Sequence, residues 1–475
     1  MNITEQGGDL LEKQDKGRSA DFTTGEPVKK LILFSLPLIA IMIIQALYNT
    51  ADSIIVGRLV GEDALAAVST SGTVTQLILM LMMGASQGVG VILSQYYGAK
   101  DEIMVKKVVA TGTYIVMALS VVLGLLGAAL AEPLLRLINV PENIMADSVL
   151  YLRIILLGTP VTAAYNMASG IARSTGDSMT PMVVLIISAV LNVVLNYIFV
   201  RFLRLAVAGV AYATIIAQVL SAVVCIVIVW HKLPVIRPTR ETAGFDREVL
   251  DGVVRIGIPA ILQSSASSIG NMLMARVLNG YGSTVIAAYH SALKVEMLIS
   301  YAPGGFTGAM QVWTGQNIGA KKFDRIKLGY NASAKVIIGY SFLSAAIMLL
   351  FGRPLVSLFT SGGAASTEFV AIGAQYLAVA CTGLFSVGFL FLSRSTLVGA
   401  GDANAALATT LLELGGRLAA AYGLSALFGY VGFFFAAPVG YTCGAVFATV
   451  RYLRGKWKEK SLVKTSQESP KAARA

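Results

Sequence analysis

Long apolar stretches recur along nearly the whole chain, and this feature limits its possible folds most strongly. A membrane-spanning helix needs about 20 consecutive, mainly apolar residues, and such stretches follow one another from residue 29 to residue 454. Charged residues make up only 13% of the chain, against about 25% in soluble domains. One soluble core cannot bury this apolar excess, so the pattern predicts an all-α polytopic membrane protein.

We predict twelve transmembrane helices. Their expected bounds are 29–58, 63–96, 104–131, 144–172, 180–203, 206–231, 249–278, 284–317, 327–352, 367–395, 404–428 and 430–454. The polar stretch 232–248 is the longest between them and divides the chain into two halves of six helices. The predicted domains are therefore an N-terminal bundle at 29–231, a cytoplasmic linker at 232–248 and a C-terminal bundle at 249–455, with cytoplasmic tails at 1–28 and 456–475.

The positions of Lys and Arg support this helix count. If the N-terminus is cytoplasmic, 26 of them fall in cytoplasmic segments, and five fall on the opposite side: Arg58, Arg136, Arg201, Arg204 and Arg353. This split obeys the positive-inside rule, and adding or removing one helix would spoil it. The net charge of +11 thus reflects membrane topology rather than nucleic-acid binding. We expect a multi-pass protein of the bacterial cytoplasmic (inner) membrane with both termini in the cytoplasm.

The two halves of the chain resemble each other in sequence. The matching segments are Ser35-Leu36-Pro37 with Gly257-Ile258-Pro259, QYYGAK at 95–100 with QNIGAK at 316–321, and Gly176-Asp177 with Gly401-Asp402, at offsets of 222, 221 and 225 residues. Because each half has an even number of helices, both repeats run in the same sense across the membrane. This predicts two pseudo-symmetric six-helix bundles with a cavity between them.

Three motifs then carry a resemblance to a known family. They are YNTADSIIVGRLVG at 48–61, RSTGDSMTP at 173–181 and GQNIGAKKFDR at 315–325. With these motifs the chain resembles the multidrug and toxic compound extrusion (MATE) family over residues 28–455, and its first helix is more similar to the DinF-type branch. The resemblance implies a V-shaped pair of six-helix bundles that expels drug-like molecules against inward H⁺ or Na⁺.

One polar stripe on the first helix includes an acid at membrane depth. Gln45, Tyr48 or Asn49, and Asp52 recur at helical spacing and share a face. An ionisable group in the membrane costs about 2.5 kcal/mol or more, so Asp52 is a functional candidate by default. It would exchange a proton or bind Na⁺. A bend at Pro37 would couple its charge state to the cavity shape; the alternative is that Asp52 only anchors its helix.

The fifth and sixth helices carry further polar groups. Asn192 and Asn196 are four residues apart on one face, and Thr214 lies on the next helix. The resemblance to DinF-type members implies a cation site formed by Asp52, Asn192, Asn196 and Thr214. Those members usually have Asp where this chain has Asn196, so one carboxylate is missing. Coupling then depends on Asp52 alone or has moved elsewhere, and interhelical hydrogen bonding is an equal alternative for this face.

The second half has different polar groups. Glu296 lies in the eighth helix, where it would contact substrate or protons, or form a structural pair with a residue such as Arg276. Flexible methionines, Met272 among them, suit a pocket for varied shapes, although core filling is the more common role. We expect a substrate cavity that includes Gln45, Tyr48, Asn49, Met272 and Glu296. Glu413 and Arg417 have the spacing of a structural ion pair.

The chain lacks the motifs of an ATP-driven transporter or a metalloenzyme. It has no phosphate-binding loop, no His-Glu-x-x-His and no clustered metal ligands, so we expect no cofactor and no resident metal. The prediction is a monomeric secondary antiporter, embedded in lipid, that exports amphipathic and cationic organic compounds against H⁺ or Na⁺. One alternative is a flippase for lipid-linked precursors, which usually has fourteen helices. The other is an intramembrane enzyme, which would need two catalytic groups close together.

Overall fold

The computed structural model describes residues 21–360 and 364–463, and within these ranges the chain is helical with no strand. Residues 1–20 and 464–475 of the two predicted tails lie outside the described residues. The first half contains α1 (Pro27–Leu59), α2 (Glu62–Gly98), α3 (Glu102–Ala129), α4 (Ala131–Leu137), α5 (Glu142–Leu157), α6 (Thr159–Ser174), α7 (Met179–Arg201), α8 (Ala206–Lys232) and the 3-10 turn η1 (Pro234–Ile236).

The second half has the same order of long helices. It contains α9 (Arg247–Leu278), η2 (Asn279–Tyr281), α10 (Ser283–Gly319), α11 (Phe323–Ser357), α12 (Ala364–Cys381), α13 (Leu384–Gly399), α14 (Ala403–Phe434), α15 (Ala436–Leu453) and η3 (Lys456–Lys460). The backbone of Gly429 is left-handed, with φ 62°, and interrupts α14, so the eleventh and twelfth predicted helices separate there. The prediction of an all-α polytopic chain is confirmed.

Most of the helices have the length and composition of membrane spans. In the described residues, eight helices are both long enough and apolar enough to cross a membrane: α1, α2, α3, α7, α8, α9, α11 and α14. Two bent pairs raise the number to ten if each pair is one span: α5 with α6, bent by 45°, and α12 with α13, bent by 51°. The predicted spans 284–317 and 430–454 are also helical but are not among the ten. The first of these, α10, carries His290, Lys294 and Glu296, which make it more polar.

The helices cluster into two compact units. Among the described residues, one unit comprises 21–24 and 44–253, and the other comprises 25–43 and 254–463. Helix α1 therefore belongs to both units, because its residues 27–43 pack in the second unit and its remainder packs in the first. The predicted domain boundaries, which place all of α1 in the N-terminal bundle, stay a prediction.

The two repeats share backbone details as well as helix order. Lys100 and Lys321 both have left-handed backbones, with φ 59° and 55°, and Gly176 and Gly401 have φ 95° and 89°. Each glycine is followed by an aspartate that forms an ion pair: Asp177 with Lys232 at 3.2 Å and Asp402 with Arg451 at 2.8 Å. Matching turns and ion pairs at matching positions show that the sequence repeat is also a structural repeat.

Candidate functional site

The position of Asp52 in the first unit is fixed by a small apolar cluster that includes Val56 of the same helix. Val56, one turn after Asp52, is fully buried and packs with residues from four other helices: Ala64, Tyr151, Val200, Val207, Val210 and Ala211. Packing between apolar and small side chains is what holds helices together in lipid. This cluster joins α1 to α7 and α8, and it places Asp52 beside the polar residues of those two helices.

A continuous chain of hydrogen bonds connects Asp52 to α7 and α8. Asn196 donates from Nδ2 to Asp52 Oδ1 at 2.6 Å and to Asn192 Oδ1 at 2.9 Å. Asn192 in turn donates to Thr214 Oγ1 at 3.3 Å, and Thr214 donates to the carbonyl of Val210 at 3.0 Å. The four residues that the resemblance implies as a cation site are therefore in direct contact.

The Oδ1 atom of Asn196 has no partner in the described part of the chain, although the side chain is fully buried. A buried acceptor without a hydrogen bond costs about 1–3 kcal/mol. The two ends of an amide are interchangeable in shape, so a half-turn of the Asn196 side chain would present Oδ1 instead of Nδ2 to Asp52. In that orientation the amide would accept a hydrogen bond from a protonated Asp52, or face a cation.

Other residues of the predicted stripe on α1 have different surroundings. The Tyr48 hydroxyl interacts with Thr214 and lies near Asp52. Gln45 and Asn49 are exposed, and Gln45 donates to Asn49 at 3.5 Å on the same helix. Of the stripe, Tyr48 and Asp52 thus contact the polar groups of other helices, whereas Gln45 and Asn49 contact each other. Pro37 lies inside α1, which is helical throughout Pro27–Leu59.

The second unit places Glu296 in an aromatic environment. Its carboxylate accepts a short hydrogen bond from the Tyr376 hydroxyl of α12. Tyr289, two turns earlier on α10, contacts the Tyr376 ring edge-on at 4.9 Å between ring centres and stacks on Phe434. Glu296 is thus held by a neutral donor, and no ion pair joins it to Arg276 among the residues described.

The remaining candidates of the second unit differ in exposure and partners. The Met272 side chain is 78% exposed, and His290 is also exposed. Glu413 lies 4.0 Å from Arg417, as expected, but it also lies 3.6 Å from Arg394 of α13. The acid is therefore shared by two arginines and is not confined to one helix.

Sequence reasoning missed two tyrosines at these sites. Tyr376 binds Glu296, and Tyr151 lies near both Asp52 and Tyr48. Both tyrosines lie in apolar segments far along the chain, where helical spacing gives no information about contacts between helices. The only available signal was that a buried tyrosine hydroxyl usually has a hydrogen-bond partner.

The polar groups around Asp52 suit a proton or a hard monovalent cation better than a transition metal. No group of three or more His, Cys, Asp or Glu that could hold a metal occurs in 21–360 or 364–463. The oxygens of Asp52, Asn192 and Thr214, with those of Asn196 after rotation, are a carboxylate, amides and a hydroxyl. Hard cations prefer ligands of this kind.

Comparisons with known proteins agree with this architecture. A family model described as MatE matches residues 37–198 and 259–423. The "Probable multidrug resistance protein YpnP" of Bacillus subtilis (strain 168) is 28% identical over 450 residues, 94% of this chain and 99% of YpnP. The "Probable multidrug resistance protein YoeA" of the same strain is 30% identical over 342 residues, 70% and 73% of the two chains. A crystal structure of "MATE in the bent conformation" has a TM-score of 0.85 at 24% identity, covering 93% of this chain and 98% of that one.

Proposed function

The chain belongs to the MatE family, and on that premise we propose that it exports amphipathic, cationic organic compounds in exchange for H⁺ or Na⁺. Members of the family are membrane transporters, so the chain is a multi-pass transporter and not an enzyme. The named multidrug resistance relatives support export of more than one drug. We expect it to act in a bacterial cytoplasmic membrane, as a monomer with both termini in the cytoplasm.

The observation that carries the coupling proposal is the contact between Asp52 and Asn196. A carboxylate at membrane depth is costly, yet here it has an amide partner with one unused oxygen. When Asp52 is ionised, Nδ2 of Asn196 donates to it. When Asp52 is protonated, or when Na⁺ is bound, the rotated amide supplies Oδ1. Asp52 and Asn196 thereby have two hydrogen-bonding arrangements, and the second contains one proton or one cation more than the first.

Drug and ion would act against each other in this scheme. If the ion favours the arrangement that binds drug weakly, then drug must weaken ion binding by the same factor, because the coupling free energy is reciprocal. The residues proposed to contact substrate are Gln45, Tyr48 and Asn49 in the first unit and Met272 and Glu296 in the second, and Pro37 would supply the bend in α1. An apolar, partly anionic lining favours amphipathic cations over neutral or anionic compounds.

The proposal is tested by transport of a panel of fluorescent organic cations in inverted membrane vesicles, with Na⁺ and pH gradients imposed separately. We expect uptake with one gradient and not with the other, which identifies the coupling ion. Asp52→Asn should slow the gradient-driven part of this uptake by about tenfold or more. The position of the second repeat that corresponds to Asp52 is occupied by Met274, so no equivalent acid there could replace it. Wild-type uptake by Asp52→Asn under every gradient would show that Asp52 has no part in coupling.

A further inference from the structure

A cavity lies in the second unit, which comprises residues 25–43 and 254–463. It has a volume of about 670 Å³ and is lined by the start of α14, the last turns of α15, Arg255 of α9 and Lys460 of η3. Its charged lining residues are one acid, Asp402, and four bases: Arg255, Arg451, Arg454 and Lys460. Neither the coupling proposal nor the proposed substrate set uses any of these residues.

Most of the positive charge in this cavity is unbalanced. Arg451 donates from Nε to Asp402 Oδ2 at 2.8 Å, and its Nη2 lies 2.8 Å from the same oxygen, so these two charges neutralise each other. In the described part of the chain, Arg255, Arg454 and Lys460 form no ion pair and no side-chain hydrogen bond. Three unpaired cations around one cavity attract an anion, and they repel one another while none is bound.

The backbone at the start of α14 adds to this positive potential. In the first repeat, Asp177 accepts a hydrogen bond from the backbone N–H of Thr180 at 2.9 Å and so caps α7. In the second repeat the equivalent Asp402 makes no such cap, because its carboxylate is bound to Arg451. Ala403 and Asn404, the first residues of α14, line the cavity. Uncapped N–H groups at a helix start favour a negative charge.

An apolar stripe runs along the same cavity. Cys443, Val446, Phe447 and Val450 all line it, and their spacing on α15 places them on one face that leads directly to Arg454. Cys443, Val446 and Val450 are exposed. A ligand that fits has an anionic head at the Arg and Lys end and an apolar tail along α15. Basic pockets at the ends of transmembrane helices are suited to the head groups of anionic lipids.

We propose that this cavity binds the phosphate of an anionic phospholipid, with the acyl chains against the apolar face of α15. The bound phosphate would contact Arg255, Arg454 and Lys460. A soluble phosphate shares the head-group chemistry but lacks the tail. The proposal goes beyond drug export and does not depend on it, since it rests only on the charges and shape of this cavity.

The exposed thiol of Cys443 reports directly on occupancy, because it lies in the cavity wall. We would place the full-length protein in nanodiscs of phosphatidylcholine, with or without phosphatidylglycerol, and measure the rate of alkylation of Cys443 by a small neutral maleimide, using peptide mass spectrometry. If phosphatidylglycerol fills about 90% of the sites, alkylation should slow about tenfold. Inorganic phosphate added to phosphatidylcholine nanodiscs is the soluble probe.

The variants separate a specific site from general surface charge. Arg454→Gln, and the combined Arg255→Gln, Arg454→Gln and Lys460→Gln variant, should lose the protection. Lys456→Gln also removes one positive charge, two residues from Arg454, but the Lys456 side chain does not line the cavity. This variant should keep the protection of Cys443 by phosphatidylglycerol. A variant whose Cys443 is alkylated at the wild-type rate in pure phosphatidylcholine has an intact cavity wall. If the combined variant fails this control, the result with Arg454→Gln alone tests the proposal.

Three results would overturn the proposal. Equal alkylation of the wild type in both kinds of nanodisc would show that no anionic lipid binds beside Cys443. Equal loss of protection in Arg454→Gln and Lys456→Gln would show a surface potential without a site. Protection by inorganic phosphate but not by phosphatidylglycerol would assign the cavity to a soluble phosphate compound.

Discussion

Asn196 gives the candidate coupling site a single acid. A second carboxylate at this position would let the site bind two protons, or carry two negative charges, whereas an amide contributes only hydrogen bonds. Asp52 is the one acid in the chain of hydrogen bonds that runs to Thr214. The stoichiometry expected from these residues is therefore one proton or one monovalent cation in each cycle.

A double-mutant cycle tests whether Asp52 and Asn196 act as a unit. A hydrogen bond to a charged group is worth about 1.5–3 kcal/mol, so Asp52→Asn and Asn196→Ala should each slow gradient-driven transport by about 10- to 100-fold. Because both changes break the same 2.6 Å contact, the double variant should be no slower than the slower single variant. The initial uptake rates of the wild type, the two single variants and the double variant in inverted vesicles give the coupling between the two residues.

Thr50→Ala is the matched control for that cycle. Thr50 lies on the same helix, and among the described residues its hydroxyl bonds only to the carbonyl of Ala46 in its own helix, so its loss should leave transport unchanged. If the effects of Asp52→Asn and Asn196→Ala multiply in the double variant, the two residues act independently. The proposed rotation of the Asn196 amide would then be wrong.

At the level of elements, one ion pair fastens the linker between the repeats to α3. Asp246 accepts from Lys107 at 3.1 Å, and it caps α9 through the N–H groups of Glu248 and Val249 at 2.9 and 3.3 Å. Burial alone would raise the pKa of Asp246, but the hydrogen bonds from Lys107, Val249 and Glu248 and the charge of Lys107 outweigh it. The pKa is therefore lowered from its ordinary 3.8.

This lowered pKa predicts how stability depends on pH. The folded state favours ionised Asp246, so its contribution is fully present above the ordinary pKa and disappears as the pH falls through the lowered value. Asp246→Asn should lower the melting temperature at neutral pH, and the gap to wild type should close towards about pH 3. Thermal unfolding in detergent measures the gap. Asp251→Asn, at an exposed position of α9, is the control and should melt at the wild-type temperature. If the difference in melting temperature between Asp246→Asn and wild type grows as the pH falls, the proposed linkage is wrong.

A second element-scale prediction concerns the contact of α10 with the first half of α1. A Cβ atom on Gly305 would lie 2.3 Å from Ile39 Cγ1 and 3.0 Å from the Ile39 backbone nitrogen. Both distances are far shorter than a normal contact, so Gly305→Ala would force the helices apart. Overpacking of this kind costs about 1–3 kcal/mol, and the melting temperature in detergent should fall.

Gly339→Ala on α11 is the control for helix propensity. A Cβ atom there would meet nothing within 4 Å, so the substitution should be neutral or should stabilise the protein by about 0.5–1 kcal/mol. If both variants shift the melting temperature equally, the close approach of α10 to α1 does not limit stability.

For the whole molecule, the sequence was informative wherever a pattern is local or repeated. Apolar length predicts the helices, and the repeat predicts the matching turns at Lys100 and Lys321, because both depend on residues close together in the chain. The partners of Glu296 and Glu413 could not be predicted, since contacts between helices depend on rotation and packing. Likewise, Gly25–Ile43 packs with the second unit, which no hydropathy pattern indicates.

The topology predicted from loop charges has a direct test at this scale. Leu203 and Glu241 are exposed and lie on either side of α8 (Ala206–Lys232), so they should face opposite sides of the membrane. The positive-inside rule assigns 241 to the cytoplasm. With native cysteines replaced, Leu203→Cys should react with a membrane-impermeant maleimide in intact cells, and Glu241→Cys should react only in inverted vesicles. Labelling of both from one side would mean that α8 does not cross the membrane, and the reverse pattern would place both termini outside.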